Sequence, residues 1–214
     1  IPEMKKIFLN VFLILLFNLC VSGYASDSKK NYLKGKFYES VKGNFLVATE
    51  QMMDPRFEKT VIVMLENDET GAWGFVINKP LGSVPLGSLI SKSEFTDNKK
   101  KELYDVKIPV FWGGPVNENR ILVLHSQEYK NKTTKNFKDV SISSGYKTLF
   151  EIADNKGPKK NLVILGISSW GGGQLEGEME RAGWTLSEIN TDLIFETNNA
   201  EKWLNAINNS FIRL

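Results

Sequence analysis

The sequence predicts a single α+β domain built around antiparallel hairpins, and three observations carry that reading. Short apolar runs rich in β-branched residues are joined by polar, glycine-containing turns, which is the pattern of hairpins. Helical patterns are inserted irregularly, not after every strand as a doubly wound α/β sheet would need. The 214 residues, 42% hydrophobic and 11% aromatic, suit one domain with a sizeable core. No internal repeat is visible.

The first 25 residues read as a leader and not as part of the fold. Lys5 and Lys6 precede the apolar run IFLNVFLILLFNLCV, and Gly23 and Ala25 provide small residues for a cut after Ala25. This is the plan of a secretory signal peptide, and it predicts an exported, periplasmic protein. The alternatives are an uncleaved anchor over 7–25 or an apolar extension on a cytoplasmic protein. An anchor is disfavoured because the run falls short of about 20 residues and is interrupted by Asn10 and Asn18. Leu19 before Cys20 is too bulky for a lipid-modified cysteine, and Met4 is the natural start. Residues 26–42, rich in Lys, Ser and Asn, read as a linker, so the domain is expected over 43–214.

Within the domain, NFLVAT (44–49) and TVIVML (60–65) read as strands. Asp54 and Pro55 between them have N-cap and N1 character, predicting one helical turn through Phe57. ENDETG (66–71) then turns the chain into AWGFVIN (72–78), completing a hairpin. Residues 80–91 can hold a short helix, and 91–102 reads as a charged, solvated loop. PVFWGGPV and RILVLHS (120–126) look like a second strand pair around a tight turn, followed by an exposed polar loop at 129–139. The segment 143–158 reads as a capped helix burying Tyr146, Leu149, Phe150 and Ala153. A strand at 162–168 leads into a helix burying Leu175, Met179 and Ala182. DLIFET (192–197) reads as a strand, and Asn199 as the cap of a last helix bearing Trp203, Leu204 and Ile207.

The chemistry offered by NLVILGISSWGGGQLEGEMERAGW (161–184) is limited. Glycines after a strand suggest a phosphate cradle, but Glu176, Glu178 and Glu180 would repel a pyrophosphate there, and the macrodipole already explains them. Ser168 and Ser169 sit where a nucleophile elbow would place a serine, yet Trp170 stands at the second glycine of G-x-S-x-G. His125 is the only histidine, so any Ser–His–carboxylate set must use it. One histidine and a single cysteine, Cys20, leave oxygen ligands alone for a metal within the domain. No cofactor is expected, and the glutamates read as a solvated helix edge. Trp73, Trp112, Trp170 and Trp184 beside glycines read as core rings or as a binding surface, with core packing favoured. The formal charge of +2 is too near neutral to point to nucleic acid.

Taken in order, GNFLVATEQMMDPRFEKTVIVML, GAWGFVINKPLG, PVFWGGPVNENRILVLHS and LGISSWGGGQLEGEMERAGW resemble the YqgE/AlgH family of bacterial proteins. DLIFETNNAEKWLNAI resembles its end, so the resemblance spans about 43–210. It implies a largely antiparallel, bifurcated sheet curled into a pseudo-barrel with flanking helices. The family is labelled as transcriptional regulators, without a recognised DNA-binding motif or settled catalytic residues. Positions matching its signature include Pro55, Gly71 and Gly74. Asp54, Asn78, Pro80, Gly113, Gly114, Pro115, His125, Trp170, Gly173, Gln174, Glu176 and Trp184 also match, and these form the candidate binding surface. Two departures stand out: Asn67 replaces the family's histidine after Glu66, and typical members lack a leader. The expectation is a monomeric, non-enzymatic accessory module binding a protein or small ligand through the glycine–tryptophan loops. The alternatives are a hydrolase using His125 with Ser168 or Ser169, and a transcriptional regulator.

Overall fold

A computed structural model describes residues 41–212. The predicted leader (1–25) and most of the linker (26–40) lie outside the described residues. Eleven strands form one mostly antiparallel sheet that curls into a half-barrel. They are β1 (Asn44–Ala48), β2 (Val61–Asp68), β3 (Gly71–Val76), β4 (Pro80–Pro85), β5 (Lys107–Trp112) and β6 (Val116–His125), followed by β7 (Lys135–Phe137), β8 (Val140–Ser144), β9 (Asn161–Gly171), β10 (Trp184–Glu188) and β11 (Ser210–Ile212). The main path runs β11-β10-β1-β2-β3-β9-β6-β8-β7, and the β4–β5 hairpin joins through β5 beside β9. Helices α1 (Leu86–Leu89), α2 (Asn98–Glu102), α3 (Tyr146–Ala153), α4 (Gln174–Glu180), α5 (Thr191–Phe195) and α6 (Asn199–Asn208) flank it. Among the described residues no helix is long and apolar enough to cross a membrane.

The sheet forks at β9. Along one edge its first half pairs in parallel with β5, Val163 to Leu165 opposite Val110 to Trp112. Its last residues, Ser168 to Gly171, pair antiparallel with β3, while β6 runs along the other edge. At the fork two backbones touch. A Cβ on Gly113 would lie 2.3 Å from the Gly166 carbonyl oxygen, and one on Gly114 would lie 2.4 Å from backbone atoms of Ile167 and Ser168. Only glycine fits there. The Gly113 carbonyl also accepts from Val76 N and Ser168 Oγ, at 3.0 Å each, tying three strands together.

Strand alternation divides the core. Phe45, Val47, Val61, Val63, Phe75, Leu124 and Ile164 fill the inside of the half-barrel with Leu193, Ile194 and Ala206 from α5 and α6. Leu46, Ala48, Ile62, Met64 and Val76 face the other way, beneath Leu175 and Met179 of α4. A third cluster joins β4–β5 to α1 and α3 through Leu86, Phe95, Val110, Leu149 and Phe150.

Several expectations need correction. β5 and β6 do not pair with each other, because β9 lies between them. Residues 80–85 are an edge strand before the expected helix, and its prolines are tolerated because one side is unpaired. The charged segment 91–102 contains helix α2, capped by Asp97 through Lys100 N, and the loop at 129–139 contains β7. The DLIF of DLIFET is helical, because Asn190 Oδ1 caps the amides of Asp192 and Leu193. The last helix is capped by Asn198, not Asn199. It buries Lys202 and Ala206, with Leu204 exposed. Ser143 and Ser144 belong to β8, and Tyr146 is exposed. Ala182 lies past the end of α4 in a left-handed conformation (φ 57°).

Candidate functional site

Five positions from four separate segments, Asp54, Pro115, Trp170, Gln174 and Trp184, converge on one cleft of about 280 Å³. Its near wall is the loop 51–57. Asp54 caps the turn Pro55–Phe57 by accepting from Arg56 N, and Pro55 supplies the ready-made φ of a first helical position. The Asp54 carboxylate also holds the Arg56 guanidinium, with Nη2 donating to Oδ2 at 2.6 Å and Nε to Oδ1 at 3.0 Å. That contact keeps the Asp54 carboxyl below its ordinary pKa of 3.8. Phe57 packs among the indoles, 5.6 Å from Trp184 and 5.5 Å from Trp112 between ring centroids. Trp170 and Trp184 meet edge to face at 5.9 Å.

The floor is organised by α4. Glu178 Oε2 accepts both indole N–H groups, from Trp170 at 2.9 Å and Trp184 at 2.8 Å. Its Oε1 accepts from Gln174 Nε2 at 3.1 Å, and Gln174 Oε1 in turn accepts from Gly171 N. Gln174 and Glu178 are one helical turn apart, so their side chains share a face. The carboxylate therefore fixes both rings. Met52 and Met53 rim the cleft, and Met53 is 88% exposed. A shallower groove continues past Arg56 and Pro115 to Asn78, Lys79, Pro80, Leu81 and Trp112.

The other candidate residues have different settings. Asn78 clips strand ends, accepting from Val61 N at 2.9 Å and donating to Lys59 O at 2.8 Å. Gly113 and Gly114 make the fork described above. Gly173 takes a left-handed conformation (φ 78°) that starts α4. Glu176 is not on a solvated edge, because it is 2% exposed and its Oε1 has no hydrogen-bond partner. Asn67 Nδ2 is likewise buried without a partner. Asn67 lies on the α4 side of the sheet, since its cross-strand row continues through Ala72 to Trp170.

His125 is fully buried and away from the cleft. Its Nδ1 lies 2.8 Å from the Ser126 carbonyl, which can only accept, so Nδ1 carries the proton. Nε2 then accepts from Ser143 Oγ at 2.8 Å. Burial pushes the imidazole below its ordinary pKa of 6.5, partly offset by the Ser126 contact. His125 pairs with Asn161 at the start of β9, whereas Ser168 lies roughly 20 Å further along the strand at about 3.3 Å per residue. Ser168 Oγ is committed to the Gly113 carbonyl, and the exposed Ser169 lines the cleft without the imidazole. The fold does not bring His125 together with either serine. Among the described residues, no cluster of His, Cys, Asp or Glu side chains could hold a metal ion.

Sequence reasoning missed Glu178, the residue that organises the cleft. Its signal was present in the Gln174–Glu178 spacing next to Trp170 and Trp184, but the partnership needs β9, α4 and β10 to meet. Arg181, Met52 and Phe57 were missed for the same reason.

A family model described as AlgH-like matches residues 45–214. A protein of Rickettsia canadensis designated UPF0301 is 33% identical over 179 residues, covering 82% of this chain and 91% of that protein. A UPF0301 protein of Pseudomonas putida is 33% identical over 155 residues, covering 72% and 80%. The solution structure of the AlgH protein from Pseudomonas aeruginosa superposes with a TM-score of 0.65 at 30% identity, covering 80% of this chain and 88% of that one. A Corynebacterium diphtheriae protein shares the fold at 15% identity and a TM-score of 0.56.

Proposed function

The chain belongs to the AlgH-like family, and we propose that it is a binding module that captures its ligand in the tryptophan cleft. One observation carries the reading. Asp54, Pro115, Trp170, Gln174 and Trp184, drawn from four separate segments, line a single concavity whose rings are pinned by a shared carboxylate. Pinned aromatic walls lose little freedom when a ligand arrives, which favours recognition. At about 280 Å³ the cleft is near the lower end of small-molecule pockets, roughly 300–1,000 Å³. That size suits a small ligand or one anchoring side chain.

The N-terminal sequence supports placing this activity outside the cytoplasm, where promoter binding has no substrate. The test is an apolar fragment screen followed by amide and indole ¹H–¹⁵N spectra. Ligands are expected to shift the indole N–H resonances of Trp170 and Trp184 ahead of those of Trp73 and Trp203. Hits that consistently map to surfaces remote from residues 51–57 and 170–184 would refute the assignment.

A further inference from the structure

The cleft's polar groups are unequally satisfied. Glu178 uses both oxygens, on the two indoles and on Gln174. Asp54 is taken up by Arg56, and the Gln174 amide is engaged at both ends. Neither lining carboxylate therefore has a free acceptor: Asp54 is paired with Arg56, and Glu178 keeps its charge but spends both oxygens on neutral donors of the wall. Arg181 is different. It sits one turn after Gly177, and its Nη1 lies 3.6 Å from where a Cβ on Gly177 would be, so the guanidinium is folded back over α4 to the cleft. Arg181 is exposed, and among the described residues its guanidinium has no hydrogen bond or ion pair. The Ser169 hydroxyl and the Gln51 amide, also lining the cleft, have none from their side chains either. The concavity therefore combines aromatic and methionine walls with donors that have no acceptor, the Arg181 guanidinium foremost.

We propose that this cleft takes a small apolar monocarboxylate, its ring or branched chain against Trp170, Trp184 and Met52 and its carboxylate on Arg181. The inference rests on the binding-module reading and adds the ligand's chemical class. The guanidinium presents paired N–H donors that match a carboxylate's two oxygens. The volume of about 280 Å³ exceeds the ~150 Å³ that holds a benzene ring, leaving room for one ring and its acid group. We commit to a free acid, because a cleft of about 280 Å³ takes a small acid whole.

The experiment titrates the folded chain with N-acetyl-phenylalanine, its uncharged amide, and a hexapeptide ending in a free-acid phenylalanine, following the Trp170 and Trp184 indole resonances. The acid should bind at the cleft about two- to fivefold tighter than the amide, the weight of a charge pair at an exposed guanidinium. Arg181→Gln should erase that preference. Arg120→Gln, at an exposed arginine stacked over Trp73, should leave it intact. Equal binding of acid and amide, or a preference that survives Arg181→Gln, would overturn the carboxylate assignment while the binding-module reading stands. Binding of the hexapeptide alone would overturn the free-acid assignment in favour of a peptide terminus. Failure of all three probes and of the fragment screen to move either indole would overturn both readings.

Discussion

Removing the Glu178 carboxylate should release both rings of the cleft at once. Trp170 is 7% exposed and Trp184 1%, so neither indole N–H can simply turn to solvent. A buried donor left without an acceptor costs about 1–3 kcal/mol. Glu178 is itself half-buried, so water entering its place recovers part of that cost. Glu178→Ala should therefore destabilise the domain by about 2–4 kcal/mol. Glu178→Gln keeps an acceptor oxygen but loses the charge, and charge-assisted bonds are about twice as strong as neutral ones, so about 1–2 kcal/mol is expected. Urea unfolding followed by circular dichroism measures both, provided the m-value is unchanged. An Ala variant within about 0.5 kcal/mol of the parent, the range of neutral surface changes, would refute the shared-acceptor argument. So would a Gln variant as unstable as the Ala variant.

Three further outcomes are expected. Gly114→Ala places a Cβ 2.4 Å from the Ile167 and Ser168 backbone at φ 145° and should cost more than about 3 kcal/mol or abolish folding. Gly82→Ala at φ 107° meets nothing within 4 Å, so it should cost only the backbone strain of about 1–3 kcal/mol. Equal thermal shifts for the two variants would contradict the fork geometry. Lys202 is 2% exposed, donates to the Ile77 and Ile194 carbonyls, and is pushed by burial from 10.5 down to about 8. The unfolded chain then holds the proton more tightly, so stability should rise by about 3 kcal/mol as pH climbs from 8 to 10.5. Lys202→Met should lack that rise, and identical pH profiles for parent and variant would contradict it. His125, lowered by burial, should be neutral at pH 6.5, with its stabilisation lost as pH falls below that value. An imidazole ¹³C titration with a midpoint at or above 6.5 would refute this.

Local chemistry made several elements legible. Asp54–Pro55 signals the turn, ENDETG the first hairpin, and Leu175 and Met179 the buried face of α4. Each depends on residues within a few positions of one another. The errors share the opposite character. DLIFET has strand-like composition, and its helical state depends on the Asn190 cap and on docking of Leu193 and Ile194 into the half-barrel. PVFWGGPV and RILVLHS resemble a hairpin because nothing local announces that β9, some forty residues later, inserts between them.

The segment 161–184 shows where the division falls. By itself the sequence determined that this stretch is a strand, a glycine turn and a helix, that its charges oppose a phosphate, and which family pattern it matches. Only the tertiary structure decided what the charges do. Glu176 is buried, Glu178 holds two indoles from different strands, and Glu180 remains exposed. Helical periodicity states which residues share a face. Whether a face meets water, an indole or a closed core depends on which distant strands pack against it, and that is a property of the assembled sheet.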